Sequence, residues 1–170
     1  MPKTRAYISM GTNFHPDVNL ERGVQGLAKS ADLIAVSPVY SSPAEKTADD
    51  SVPDYWNAAV IVETARDARS FKFDVLKAIE SEAGRDRENK HQVALDLDLI
   101  FFGNEVMDAQ GMVLPENDVL LYRFVAQPLA DIAPNFEHPI TGNTLAHIAE
   151  RLKSTGQILT RRDDVALPQP

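Results

Sequence analysis

An α+β fold built on a single antiparallel sheet is predicted by three observations. Strand-like and helix-like segments alternate in the order β-α-β-β-α-β over the first hundred residues. The two helical segments carry apolar stripes at spacings of three and four, and further helical periodicity appears only after the last of those strands. That order is the ferredoxin-like split βαβ arrangement, with two helices on one face of the sheet. The added C-terminal helices can cover the other face and complete a three-layer α/β/α sandwich.

Each element has its own warrant. Residues 5–10 read as a first strand, ended by Gly11-Thr12-Asn13. A helix follows from about Asn19, with Leu20, Val24, Leu27 and Ala31 on one stripe. A second strand runs from Leu33 to Tyr40, where Ile34, Val36 and Val39 favour extended backbone. Residues 41–54 are polar, hold two prolines, and form a long loop of the kind used to bind or close over ligands. Trp56 to Glu63 is the third strand. The second helix has Ser70 as its expected N-cap, an inner stripe of Phe71, Val75, Ile79 and Ala83, and Gly84 past its end. Ala94 to Phe102 is the fourth strand, followed by a hairpin around Asn104 to Val113 and helices at 124–132 and 144–152.

With 170 residues, 44% of them apolar and 25% charged, the chain suits one compact domain with a sizeable core. That domain is expected over 1–153, with 154–170 as a frayed, polar, proline-ended tail. Apolar runs are too short to span a bilayer, and the start, Met1-Pro2-Lys3-Thr4-Arg5, lacks a signal-like stretch. A cytoplasmic address without membrane association is therefore expected. The net charge of −8, from 17 basic and 25 acidic residues, disfavours nucleic-acid binding.

The segment Leu95-Asp96-Leu97-Asp98-Leu99 carries the chemistry. Strand alternation sends the leucines to one face and both aspartates to the other, with the carboxylates roughly 6–7 Å apart. Aspartate is a poor strand former, and like charges on one face repel. A pair of Mg²⁺ ions that also hold phosphate oxygens would offset both costs, since hard oxygen donors suit Mg²⁺. The alternative is a solvated sheet face with two surface aspartates.

The loop just upstream favours the first reading. Arg85, Arg87, Lys90 and His91 lie within seven residues of an otherwise acidic chain. Guanidinium and ammonium groups there can fold over phosphates held at the aspartates. A salt-bridged surface loop, with Asp86 and Glu88 as partners, is the plainer alternative.

At this point the sequence resembles the 6-hydroxymethyl-7,8-dihydropterin pyrophosphokinase family of folate biosynthesis, as a divergent member. The anchors are Tyr7-Ile8-Ser9-Met10-Gly11-Thr12-Asn13, Asp54-Tyr55-Trp56-Asn57-Ala58-Ala59-Val60, Ile79-Glu80 with Gly84-Arg85-Asp86-Arg87, Leu95 to Ile100 with Phe102-Gly103, Leu114-Pro115, and Pro128 to Pro134. Their order and spacing over more than a hundred residues carry the resemblance. It implies ATP as co-substrate, two Mg²⁺ ions on Asp96 and Asp98, and a hydroxymethyl pterin as acceptor. It implies that Asp96, Asp98 and Arg87 are catalytic, and that Ser42, Pro43, Tyr55, Asn57 and Phe124 form the pterin pocket. It places Glu80 near the nucleotide, where Arg85, Lys90 and His91 of the basic loop, with Arg123, are also expected to bind. Only small-molecule partners are expected, on a monomer or weak homodimer. Tyr55 and Phe124 are equally readable as core aromatics, and Gly11 and Asn13 as shapers of a turn.

The chain departs from the family pattern on the nucleotide side. Lys90-His91-Gln92-Val93-Ala94 stands where members usually carry Trp-Gly-Pro-Arg, so an ATP-contacting arginine is replaced by Val93. Pro115-Glu116 stands for Pro-His, and Tyr122-Arg123 displaces a further arginine by one position. Lys90, His91 and Arg123 are the residues that would restore positive charge. The reaction expected is attack of the pterin hydroxymethyl oxygen on the β-phosphorus of ATP, releasing AMP. The alternatives are a paralogue acting on another hydroxymethyl pterin and a non-catalytic pterin-binding protein.

Overall fold

Alternation along β1 (Thr4–Thr12) organises the molecule, because its two sets of side chains found two separate cores. Ala6, Ile8 and Met10 enter one; Tyr7 enters the other, while Ser9 and Gly11 continue that second face toward a cavity. The computed structural model describes residues 2–44 and 51–170. Part of the loop expected to close over ligand, 45–50, lies outside the described residues.

The main sheet has the order β5 (Asp96–Phe102), β1, β4 (Tyr55–Thr64), β3 (Tyr40–Ser42), β8 (Thr160–Arg161), with β2 (Asp32–Val36) also paired to β4. Every pairing is antiparallel. β1 lies between β4 and β5 (Asp96–Phe102), as the ferredoxin-like order requires. The expected second strand is divided. β2 stops at Val36 and β3 (Tyr40–Ser42) resumes on the same edge of β4. Pro38 lacks the N–H needed for a continuous ladder, and Ser37 bridges the gap by exchanging bonds with Ala59 at 2.9 and 2.7 Å.

On one face pack α1 (Pro16–Ser30) and a continuous helix over 68–82. α1 starts earlier than its apolar stripe suggests, because Pro16 is preset for a first helical position. The second helix joins α2 (Ala68–Ser70) through a π-helical stretch (Phe71–Leu76) to α3 (Lys77–Glu82). Its N-cap is Asp67, not Ser70: the Asp67 carboxylate accepts the Ser70 N–H at 2.8 Å. Leu20, Val24, Leu27, Phe71, Leu76 and Ile79 fill this layer against Ile8, Val60, Leu97 and Leu99.

On the other face lie α5 (Arg123–Ile132) and α6 (Leu145–Lys153), which pack Val125, Leu129, Leu145 and Ile148 against Tyr7, Ile61 and Phe101. The three layers therefore form as the periodicity predicts. A short helix, α4 (Asp118–Leu121), precedes α5. The expected hairpin is β6 (Met107–Ala109) with β7 (Met112–Leu114), turning through Gln110 and Gly111, both at positive φ as a two-residue turn of this hand demands.

Part of 154–170, expected to fray, instead returns to the sheet edge. Thr160–Arg161 form β8 on β3, and Leu167 is buried in the α1-side core. Sequence polarity hid this, because backbone pairing needs no apolar stripe. No described helix is long and apolar enough to cross a membrane.

Candidate active site

The α5-side face of the sheet is apolar at one end and polar at the other. Register sets out the polar end: Asp96 pairs with Gly11, Gly11 with Asn57, and Asn57 with Tyr40, while Asp98 pairs with Ser9. Side chains of alternate residues on adjacent strands share a face, so Ser9, Gly11, Asn57, Asp96 and Asp98 together floor a cavity of about 350 Å³. Ser42, Pro43 and Tyr55 wall it on one side, Lys90 and His91 reach it from the basic loop, and Phe124 and Asp118 come from the helical layer.

Asn57, 2% exposed, is oriented by its neighbours. Its Nδ2 donates to Ser42 Oγ at 2.8 Å and to the Tyr40 carbonyl at 3.4 Å. Both donor hydrogens are thus used inside the protein, and Oδ1 lies beside Gly11. A Cβ on Gly11 would stand 3.8 Å from that oxygen and 3.6 Å from the Tyr55 ring. Glycine keeps this part of the floor flat. At the mouth, Phe124 stacks on Tyr122 with centroids 5.1 Å apart and planes 24° apart.

Asp96 and Asp98 are both half-buried. Burial pushes the Asp98 carboxyl up to about 7, and the charges of Asp96, Asp118, Glu116 and Glu80 add to the effect in that order. Among the described residues neither aspartate side chain makes an ion pair or a hydrogen bond. Nor, among the described residues, do three or more His, Cys, Asp or Glu side chains converge as a complete metal cage. Two carboxylates with open surroundings suit a hard divalent ion that takes its other oxygens from water and substrate.

Nine of the sequence-predicted site residues therefore share this cavity: Ser42, Pro43, Tyr55, Asn57, Lys90, His91, Asp96, Asp98 and Phe124. Four do not line it. Glu80 is fully buried, accepts the Leu97 N–H at 2.9 Å, and pairs with Arg87 and with Lys77. Arg87 is thereby turned to Glu80. Arg85 keeps Nε and Nη1 buried without a partner. Arg123 is held by Gln157, through its backbone N–H at 2.9 Å and Nη1 at 3.2 Å. Sequence reasoning missed Asp118 and Ser9. An acid in a helix's first turn reads as a dipole complement, and a serine in a strand carries no signal at all.

Comparison with known proteins meets this geometry. The sequence profile described as 7,8-dihydro-6-hydroxymethylpterin-pyrophosphokinase (HPPK) matches residues 7–134. The chain belongs to the HPPK family. A 2-amino-4-hydroxy-6-hydroxymethyldihydropteridine pyrophosphokinase of Pseudomonas aeruginosa is 32% identical over 139 residues, covering 79% of this chain and 84% of that protein. The folic acid synthesis protein fol1 of Pneumocystis carinii is 30% identical over 149 residues, which is 86% of this chain but 20% of that protein. Among solved structures, Plasmodium falciparum HPPK-DHPS with pteroate superposes with a TM-score of 0.73 at 14% identity, over 90% of this chain and 43% of that one. The chain thus spans most of one relative and less than half of the other two. The structural likeness places the HPPK fold here, with the cavity on the α5 side of its sheet.

Proposed function

We propose that this HPPK-family chain transfers pyrophosphate from ATP to 6-hydroxymethyl-7,8-dihydropterin, giving AMP and the pterin diphosphate in folate biosynthesis. The observation that carries this reading is the joining, in one cavity, of the Asp96–Asp98 pair with the Tyr55, Asn57 and Phe124 constellation. One end offers negative oxygens with Lys90 and His91 beside them; the other offers flat aromatic surface and a fixed amide. A triphosphate and a heterocycle need those two environments side by side.

At the heterocycle end, Tyr55 and Phe124 supply the surfaces between which a planar pterin gains from stacking. Asn57, with its amide already committed to Ser42 and Tyr40, presents Oδ1 to ring donors. Ser42 and Pro43 close the wall. At the phosphate end, Asp96 and Asp98 would hold Mg²⁺, whose charge neutralises phosphate oxygens and acidifies a bound hydroxyl. Lys90 and His91 line the same space, Lys90 as a cationic contact and His91 as a hydrogen-bonding one for the transferred group. Transfer then needs the hydroxymethyl oxygen in line with the β-phosphorus, and the protein's part is positioning and charge.

The four residues outside the cavity fit a division of labour. Glu80 holds the backbone of Leu97, between the two aspartates, and draws Arg87 to it. Arg85, with buried unpaired nitrogens, and Arg123 remain candidates to meet nucleotide phosphate. The test is direct: incubate the protein with Mg-ATP and 6-hydroxymethyl-7,8-dihydropterin and quantify AMP. Turnover lost in the Asp96→Ala, Asp98→Ala double variant supports the proposal; AMP no higher than in that variant ends it.

A further inference from the structure

Residues beyond 134 lie outside the family match, yet they return to the pocket wall. β3 is three residues long and has β4 on one side; on the other it has β8, with Tyr40 opposite Arg161 and Ser41 opposite Thr160. Strands this short hold their place only through what flanks them. Directly after β8, the Arg162 N–H donates to the Val39 carbonyl at 2.7 Å. Its guanidinium stands 4.4 Å from the centroid of the Trp56 ring and is fixed by Asp164 through bonds of 2.9 and 2.8 Å. Leu167, 8% exposed, then anchors the segment in the core, with Val165 packed there too. The far end of β3 is Ser42, whose Oγ receives the Asn57 amide.

We infer that residues 160–167 are a strap that positions the Ser42–Pro43 wall for the pterin ring, with Arg162 as its positioning residue over Trp56. The inference rests on reading that wall as pterin-facing. No strap residue lines the cavity, so its effect passes through β3. The aspartates sit on β5, the opposite edge of the sheet from β8. Loss of the strap therefore acts on one ligand and spares the other.

The experiment compares the intact chain with Arg162→Ala and with a chain ending at Ile158. Affinity for 6-hydroxymethylpterin is measured with a non-hydrolysable Mg-ATP analogue saturating, and affinity for that analogue is measured alone. Amide exchange is followed at Tyr40–Ser42. Both variants should lose about tenfold in pterin affinity while changing less than about twofold for the nucleotide, with faster exchange at β3, and in Arg162→Ala at β8 as well. Unchanged pterin affinity overturns the inference, and so does an equal loss for both ligands. If the intact chain binds no pterin, the proposed function falls. Exchange at Tyr40–Ser42 then decides the strap, and rates unchanged by its removal sink it.

Discussion

Asn13 and Val93 exchange two hydrogen bonds: the Asn13 N–H donates to the Val93 carbonyl at 3.0 Å, and the Val93 N–H donates to Asn13 Oδ1 at 2.6 Å. The same amide donates to the His91 carbonyl at 2.9 Å, and Thr12 Oγ1 donates to Val93 O at 3.0 Å. The turn after β1 is thus a clamp on the basic loop, and it delivers Lys90 and His91 to the cavity. Val93, where family members usually carry an arginine, is 5% exposed and serves as the clamp's grip.

Asn13→Ala leaves a buried Val93 N–H without its acceptor, which costs about 1–3 kcal/mol. Urea denaturation should show that loss. Nucleotide affinity should drop more than pterin affinity, because the loop carrying Lys90 and His91 is the part released. Equal stability in the variant and the parent would contradict the clamp.

Glu80 should prove structural first. Its carboxylate is wholly buried and serves the Leu97 N–H, Arg87 and Lys77 together. Glu80→Ala strands a backbone donor in the core and removes the partner of two cations that can turn to solvent, a change of about 1–3 kcal/mol. Glu80→Gln keeps an acceptor for Leu97 and should cost visibly less in the same unfolding experiment.

Asp98 sets a pH dependence with a definite sign. Its carboxyl is pushed up to about 7 in the ligand-free fold, first by burial and then by neighbouring acids. Between about pH 4 and that value the folded chain keeps a proton that an unfolded aspartate, with a pKa of about 3.9, has released. Stability from this group therefore falls as pH rises through the window and levels off above it. Asp98→Asn should flatten that fall and stabilise the free protein at about pH 8 by on the order of 2 kcal/mol, while abolishing turnover. Binding of Mg-nucleotide runs the other way, weakening as the pH drops below about 7 because a proton competes for the ligand oxygen. Parallel stability profiles for parent and variant would refute the assignment.

Gly11→Ala should fold normally. The added methyl meets the Tyr55 ring and Asn57 Oδ1 at ordinary contact distances, and its backbone is not in the left-handed region. It projects into the cavity floor, however, so pterin affinity should fall by about tenfold or more with the melting temperature little changed. Calorimetry on both proteins separates the two effects.

Much of this was legible beforehand, for identifiable reasons. The layers follow from stripes such as Leu20–Val24–Leu27, which have no other way to be buried. Asp96 and Asp98 announce themselves because aspartates in a strand are costly, and the structure brings both into one cavity with seven other expected residues. What escaped has weak sequence signals. Asn13 looks like a turn residue because it is one, and the clamp depends on a partner 80 residues away. For Glu80, helix periodicity cannot tell an inward carboxylate with a backbone donor waiting from an outward one. The edge strand at Thr160–Arg161 pairs through its backbone, which side-chain patterning does not encode.

The cavity floor takes one or two residues from each of β1, β4 and β5, its wall from Ser42, Pro43 and Tyr55, and its rim from the start of α5. The lining residues are spread along the chain from Ser9 to Phe124, so the cavity is complete only when β1, β4, β5 and α5 are in place together. Ligand binding is coupled to the final closure of the whole sheet, and saturating substrate should raise the unfolding barrier everywhere at once instead of guarding one corner. In a cell, substrate supply and the lifetime of the protein would then rise and fall together.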